Sequence, residues 1–163
     1  MELLKRIQAL LKTKNVTADI DKDGDLMFIA MCGPVSVRIV VTATDSAIIV
    51  RGYIPLFVPV QNRSAMCSAL SLGNWQLRFA RLEMDAEDGE LRCRADWVLY
   101  DGVPTDQQLT RLIYCVWSVT EQYVPALVEV MMGQAEPTAA IARVEQRENE
   151  PIRRKQALDL TVN

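Results

Sequence analysis

Between residues 25 and 54 apolar and polar side chains alternate, and only short turn segments separate the alternating runs. Nothing else in the chain restricts its fold as much. The runs are Asp25–Met31, Val35–Thr42 and Ala47–Ile54, with a shorter one near Val16–Ile20, and in the second of them Val35, Val37, Ile39 and Val41 share one side. A period of two marks strands with one buried face. The joints at Asp21-Lys22-Asp23-Gly24, Gly33-Pro34 and Asp45-Ser46 are too short for a crossover, so neighbouring strands must be antiparallel. A second hairpin is predicted from Trp75–Met84, a turn at Ala86-Glu87-Asp88-Gly89, and Glu90–Tyr100. In its second strand Leu91, Cys93, Ala95, Trp97 and Leu99 alternate with Glu90, Arg92, Arg94 and Asp96. The apolar parity of its first strand changes between Phe79 and Leu82, which predicts a bulge near Ala80-Arg81. The expectation is an antiparallel meander of about five to six strands.

Three helices frame these strands. Residues 2–12 place Leu3, Leu4, Ile7, Leu10 and Leu11 on one face. Pro55 and Pro59 interrupt the strand pattern, and Asn62 is placed to cap a short helix over Arg63–Leu72 that Gly73 closes. Thr105 and Gln108 have capping-box spacing and open the longest helix, about 106–132, with Gly133 as its stop and Pro125 as an expected kink. The fold class is therefore α+β, a meander sheet packed with an N-terminal, a short middle and a long C-terminal helix. The domain is expected to span 1–133. Residues 134–163 carry Pro137, Pro151 and few large apolar side chains, and read as a polar tail with a short helix near 138–148, lying against the domain or a partner chain.

The residue inventory removes most chemistries. None of the 163 residues is histidine, so Ser-His-Asp and Cys-His nucleophiles, HExxH zinc sites and histidine pH switches are excluded. Asp19, Asp21, Asp23 and Gly24 imitate the start of a calcium loop, but the twelfth position, where a bidentate carboxylate belongs, is Ala30; a hairpin turn is expected instead. Seven glycines form no GxGxxG or GxxxxGK[ST] pattern for a nucleotide. The cysteines, at 32, 67, 93 and 115, lie in apolar stretches and are expected to be reduced core residues of a cytoplasmic protein. No catalytic, cofactor-binding or metal-ligating residue is assigned. A net charge of −3 disfavours nucleic acid as a partner. Charges interleaved through Met1–Arg6 do not form a signal peptide, and no apolar run approaches the roughly 18–20 residues of a membrane span.

Contact surfaces remain. On the long helix the polar stripe of Arg111, Ser118, Glu121, Gln122 and Glu129 is narrow, and apolar residues fill most of the remaining circumference. One sheet covers one side of such a helix, so a second copy, another partner or the chain's own tail must cover the other. The candidate partner interface comprises Trp117, Tyr123, Val124, Leu127, Val128, Met131 and Met132. Strand parity also sets Arg38, Arg51, Arg78, Arg92 and Arg94 opposite the apolar alternation, where they form either a face for an anionic partner or a solvated face paired with Glu83, Glu90 and Asp96.

The element order, the stretch QNRSAMCSALSLGNWQLRFARLEMDAEDGELRCRADWVL (61–99), GDLMFIAM (24–31) and PTDQQLTRLIYCVW (104–117) together resemble the YbjN family and, more broadly, the type III secretion chaperone-like fold. The resemblance covers about residues 1–133. It implies a small, acidic, bacterial, cytoplasmic protein that commonly dimerises and binds polypeptides, with no catalytic residues to carry over. The expected function is thus a non-enzymatic, chaperone-like or regulatory partner-binding homodimer, its polypeptide partner unidentified. The alternative is a ligand-responsive regulator that binds a small anion at the arginine-rich sheet face.

Overall fold

The structure, a computed structural model, describes residues 2–100, 102 and 104–148. The part of the expected tail beyond Glu148, with Pro151, lies outside the described residues.

The chain opens with α1 (Glu2–Thr13), whose Leu4, Ile7 and Leu11 are buried at helical spacing. Four strands follow as a meander: β1 (Asp19–Ile20), β2 (Leu26–Cys32), β3 (Val35–Ala43) and β4 (Ala47–Phe57). A single 3-10 turn at Val60–Asn62 leads into α2 (Arg63–Gln76), then β5 (Arg81–Met84), β6 (Glu90–Val98), α3 (Asp106–Met131) and α4 (Pro137–Glu148). The strands form one antiparallel sheet in the order β1-β2-β3-β4-β6-β5, so α2 carries the chain across and β6 returns beside β4. The α+β expectation and its six-strand upper bound hold. The turns have the predicted chemistry: Asp21 Oδ1 accepts the amides of Asp23 and Asp25, each at 3.0 Å, so the calcium-like run is an Asx-stabilised hairpin. Both bonds of the Thr105–Gln108 capping box are present at the start of α3.

The corrections concern the middle of the chain. The expected strand from Trp75 begins only at Arg81, because α2 continues to Gln76. Asn74 then fixes the strand's start, its Oδ1 accepting from Leu82 N at 2.8 Å and its Nδ2 donating to Leu82 O at 2.9 Å. Gly73 does not close the helix. It lies inside α2 against the Tyr123 ring, where a Cβ would meet Cε1 at 2.8 Å, so its missing side chain permits close packing of α2 on α3. Asn62 makes no side-chain cap; its Nδ2 donates to Met131 O at 2.6 Å and ties the start of α2 to the end of α3. The sheet irregularity falls between Ile54 and Phe57, around Pro55, which supplies no amide to the ladder, and not at Ala80-Arg81.

The helices lie to one side of the sheet. The inner face presents Leu26, Phe28, Val37, Ile39, Val41, Ile48, Val50, Ile54, Leu91 and Cys93 to the helices, all buried. α3 packs on β2, β4 and β6, α1 on α3 and β3, and α2 on α3 and β5. α4 packs on α2 and α3, and its Ala140, Ile141 and Val144 belong to the same core cluster as α3. Arg143 of α4 pairs with Glu129 of α3.

Candidate functional site

With the helices on one face, the other face of the sheet is open, and the register shows what it carries. One row across the strands reads Arg38, Tyr53, Arg92, Glu83, and the next reads Val40, Arg51, Arg94, Arg81. Arg38, Arg51, Arg92 and Arg94 therefore share the outer face. Arg78 does not join them; it lies exposed in the link between α2 and β5 because the strand starts three residues later. Arg81 takes the place in the row that the longer strand had assigned elsewhere. Its signal was present in the sequence, as the residue paired in parity with Glu83 once the strand is confined to 81–84.

Three of these arginines are neutralised within the face. Arg81 Nε donates to Glu83 Oε1 at 2.8 Å and its other end to Asp96 Oδ2 at 2.6 Å; Arg92 Nε donates to Glu83 Oε2 at 2.6 Å and Arg94 Nε to Asp96 Oδ1 at 2.9 Å. Burial pushes the Glu83 and Asp96 carboxyls up, but the hydrogen bonds and charges of the arginines outweigh it and hold both below the ordinary carboxylate range. Arg38 and Arg51 make no ion pair among the described residues. The Arg38 guanidinium sits 4.8 Å from the Tyr53 ring centroid, and Arg51 Nη1 donates to Thr42 Oγ1 at 3.1 Å. Farther along, on β2, Ile29 and Met31 present exposed apolar side chains to the same face.

The proposed helix interface divides. Tyr123, Val124 and Leu127 are interior residues of the single chain, so they form no surface for a partner; α3 packs against the sheet, α2 and α4. Trp117, Val128 and Met131 are half-buried, and Met132 is exposed. Trp117 reaches the rim of the sheet, its Nε1 donating to Met31 O at 3.3 Å, with its ring stacked 5.6 Å from that of Tyr114.

Reactive groups are muted. All four cysteines are free, but Cys67 is exposed on α2, contrary to the expectation that all would be core residues, because it falls on the solvent side of a helix whose buried residues are Met66, Ala69, Leu70 and Gly73. Burial pushes the Cys32 and Cys93 thiols up to about 12, so both are protonated at neutral pH. Among the described residues no group of three or more His, Cys, Asp or Glu side chains is placed to hold a metal ion, and no helix is long and apolar enough to cross a membrane.

Residues 3–129 match the family described as YbjN, "Putative bacterial sensory transduction regulator". The chain belongs to the YbjN family. The match spans α1 through nearly all of α3, so α4 lies beyond the matched YbjN region. Among solved structures, YbjN from E. coli, described as "a putative transcription regulator", superposes with a TM-score of 0.55 at 17% sequence identity, over 80% of this chain and 93% of that one. At that identity the likeness establishes the shared YbjN fold. No curated protein matches the chain.

Proposed function

We propose that this YbjN-family chain is a non-enzymatic, cytoplasmic regulator that acts through protein–protein contacts as a homodimer, and that its open sheet face receives a polypeptide partner. The observation carrying this is the one-sided architecture: α1, α2 and α3 pack on one face with α4 upon α2 and α3, and the other face carries exposed Arg38, Ile29 and Met31 beside half-buried Arg51. Such a face offers guanidinium donors to carboxylates together with apolar area to bury. The absence of histidine and the protonated state of the buried thiols at neutral pH are in keeping with work by contact. The net charge of −3 argues against nucleic acid as the direct partner. The test is affinity capture from the native cell with the full chain and with the Arg38→Glu/Arg51→Glu variant. A partner retained by the first and lost by the second supports the proposal; identical captures refute it.

A second function is favoured by one detail, that among the described residues Arg38 and Arg51 have no carboxylate partner while Arg81, Arg92 and Arg94 do. Arg38 and Arg51 are thus the arginines available to a small anionic ligand. A thermal-shift screen against nucleotides and acidic metabolites separates the two: a shift abolished by Arg38→Ala and Arg51→Ala identifies a ligand-responsive regulator, and no shift leaves the polypeptide partner.

A further inference from the structure

We infer that the homodimer forms at the free edge of β2, which pairs with the same edge of a second copy, antiparallel about a two-fold axis centred near Ala30. This rests on the dimer reading above and gives it an address.

The sheet has two edges of very different character. At one, β5 is four residues long and carries Arg81 and Glu83, both ion-paired. Short length and charge are how natural sheets keep an edge from pairing. At the other, β1 pairs only with Leu26 and Met27 of β2 and then ends, leaving 28–32 without a strand partner on that side among the described residues. That stretch, Phe28-Ile29-Ala30-Met31-Cys32, has no charge and no proline, and its register with β3 runs without a shift. The backbone groups of Ile29 and Met31 point outward. Asp25 O accepts from Asp21 N at 2.8 Å on that side and Met31 O is reached there by Trp117 Nε1, and residues of one parity in an antiparallel strand turn both N–H and C=O the same way. A shallow groove of about 460 Å³ runs along this edge between Val16–Thr17 and Trp117.

The chemistry selects the occupant. An uncharged edge offers nothing to distinguish an acidic from a basic peptide, but it matches a strand with the same uncharged alternation, which is β2 itself. Because β1 blocks the edge at Met27, the open stretch is symmetric about Ala30, and the two-fold register sets Ile29 opposite Met31 of the second copy and the reverse. Each of these side chains is 59% exposed in the single chain and gains an apolar cross-strand neighbour, while both outward backbone pairs are satisfied. The Met31 carbonyl has a second lone pair, so the Trp117 bond can remain. Edge pairing also makes the two arginine faces one continuous surface.

The test is light scattering across the micromolar range on the full chain and on Ile29→Lys, with hydrogen exchange at the Ile29 and Met31 amides. Ile29 is on the solvent face, so the lysine leaves the core intact. The inference expects a dimer, slow exchange at both amides that speeds up on dilution, and at least tenfold weaker association in the variant. A dimer untouched by Ile29→Lys, with fast exchange at both amides, overturns the address but leaves the dimer. A monomer with fast exchange overturns both. A monomer with slow exchange that is lost on ending the chain at Glu148 overturns the second copy in favour of the chain's own terminus. Should Ile29→Lys fail to fold, the dilution dependence of exchange in the unsubstituted chain decides alone.

Discussion

At the scale of residues, single side chains set where elements may touch, and Gly89 is the most tightly placed. It sits in the β5–β6 turn at a φ of +83, and an added Cβ would lie 2.4 Å from the carbonyl oxygen of Val58. The neighbour is backbone, held by the bond from Val58 N to Gly89 O at 2.9 Å, so it cannot swing aside. Gly89→Ala therefore combines left-handed backbone strain with a steric clash and is expected to cost on the order of 3 kcal/mol, read as a lower denaturant midpoint at unchanged slope. The sequence already marked Gly89 as a turn residue, because Asp-Gly between two alternating runs has a local cause. The clash with Val58 was not legible, since it depends on a residue thirty-one positions earlier. Arg78 and Arg81 show the same limit: parity sorted the arginines correctly once a strand's start was known, and that start is set by Asn74 gripping Leu82 across the end of α2.

At the scale of elements, the two- and four-residue turns and the capping box were readable because each is a contest among a few adjacent residues. The length of α2 was not, because Gly73 and Asn74 resemble a helix stop and only the Tyr123 ring on α3 explains why the glycine is inside. The cover of α3 was likewise undecided in the sequence between a partner and the tail, as the apolar surplus of a helix says that something must lie on it but not what. In the structure α4 lies on it, beyond the region matched to the family. Ile141 is 2% exposed within the common core, and Ile141→Ala is expected to cost about 2–4 kcal/mol. Ending the chain at Gly133 should go further, uncovering apolar surface of α2 and α3, with binding of an apolar dye at neutral pH as the readout. A truncated chain as stable and as dye-silent as the full one would show that α4 contributes nothing to the fold.

At the scale of the whole molecule, a sheet with one bare face needs something to hold that face in order, and here an ion-pair lattice spans β5 and β6. Two carboxylates, Glu83 and Asp96, each bridge two arginines, and both are held below their ordinary range. A carboxyl with a depressed folded-state pKa contributes stability that is complete above its unfolded value and is lost as the pH falls through the folded one. The window therefore opens near the ordinary carboxylate range of about pH 4 and extends downward, and the lattice contributes no slope between about pH 5 and 8. Both side chains are about three-quarters shielded, at 22% and 25% exposure, and each of the four partly screened pairs contributes about 0.3–0.5 kcal/mol. Denaturant titrations of the unsubstituted chain and of Glu83→Gln/Asp96→Asn, at neutral pH and near pH 3, check this directly. The double variant is expected to lose about 1–2 kcal/mol at neutral pH and to lose correspondingly less on acidification, so the two curves converge in acid. Parallel curves would mean that the lattice orders the outer face without stabilising the fold, leaving the inner core of the sheet, α3 and α4 to carry it.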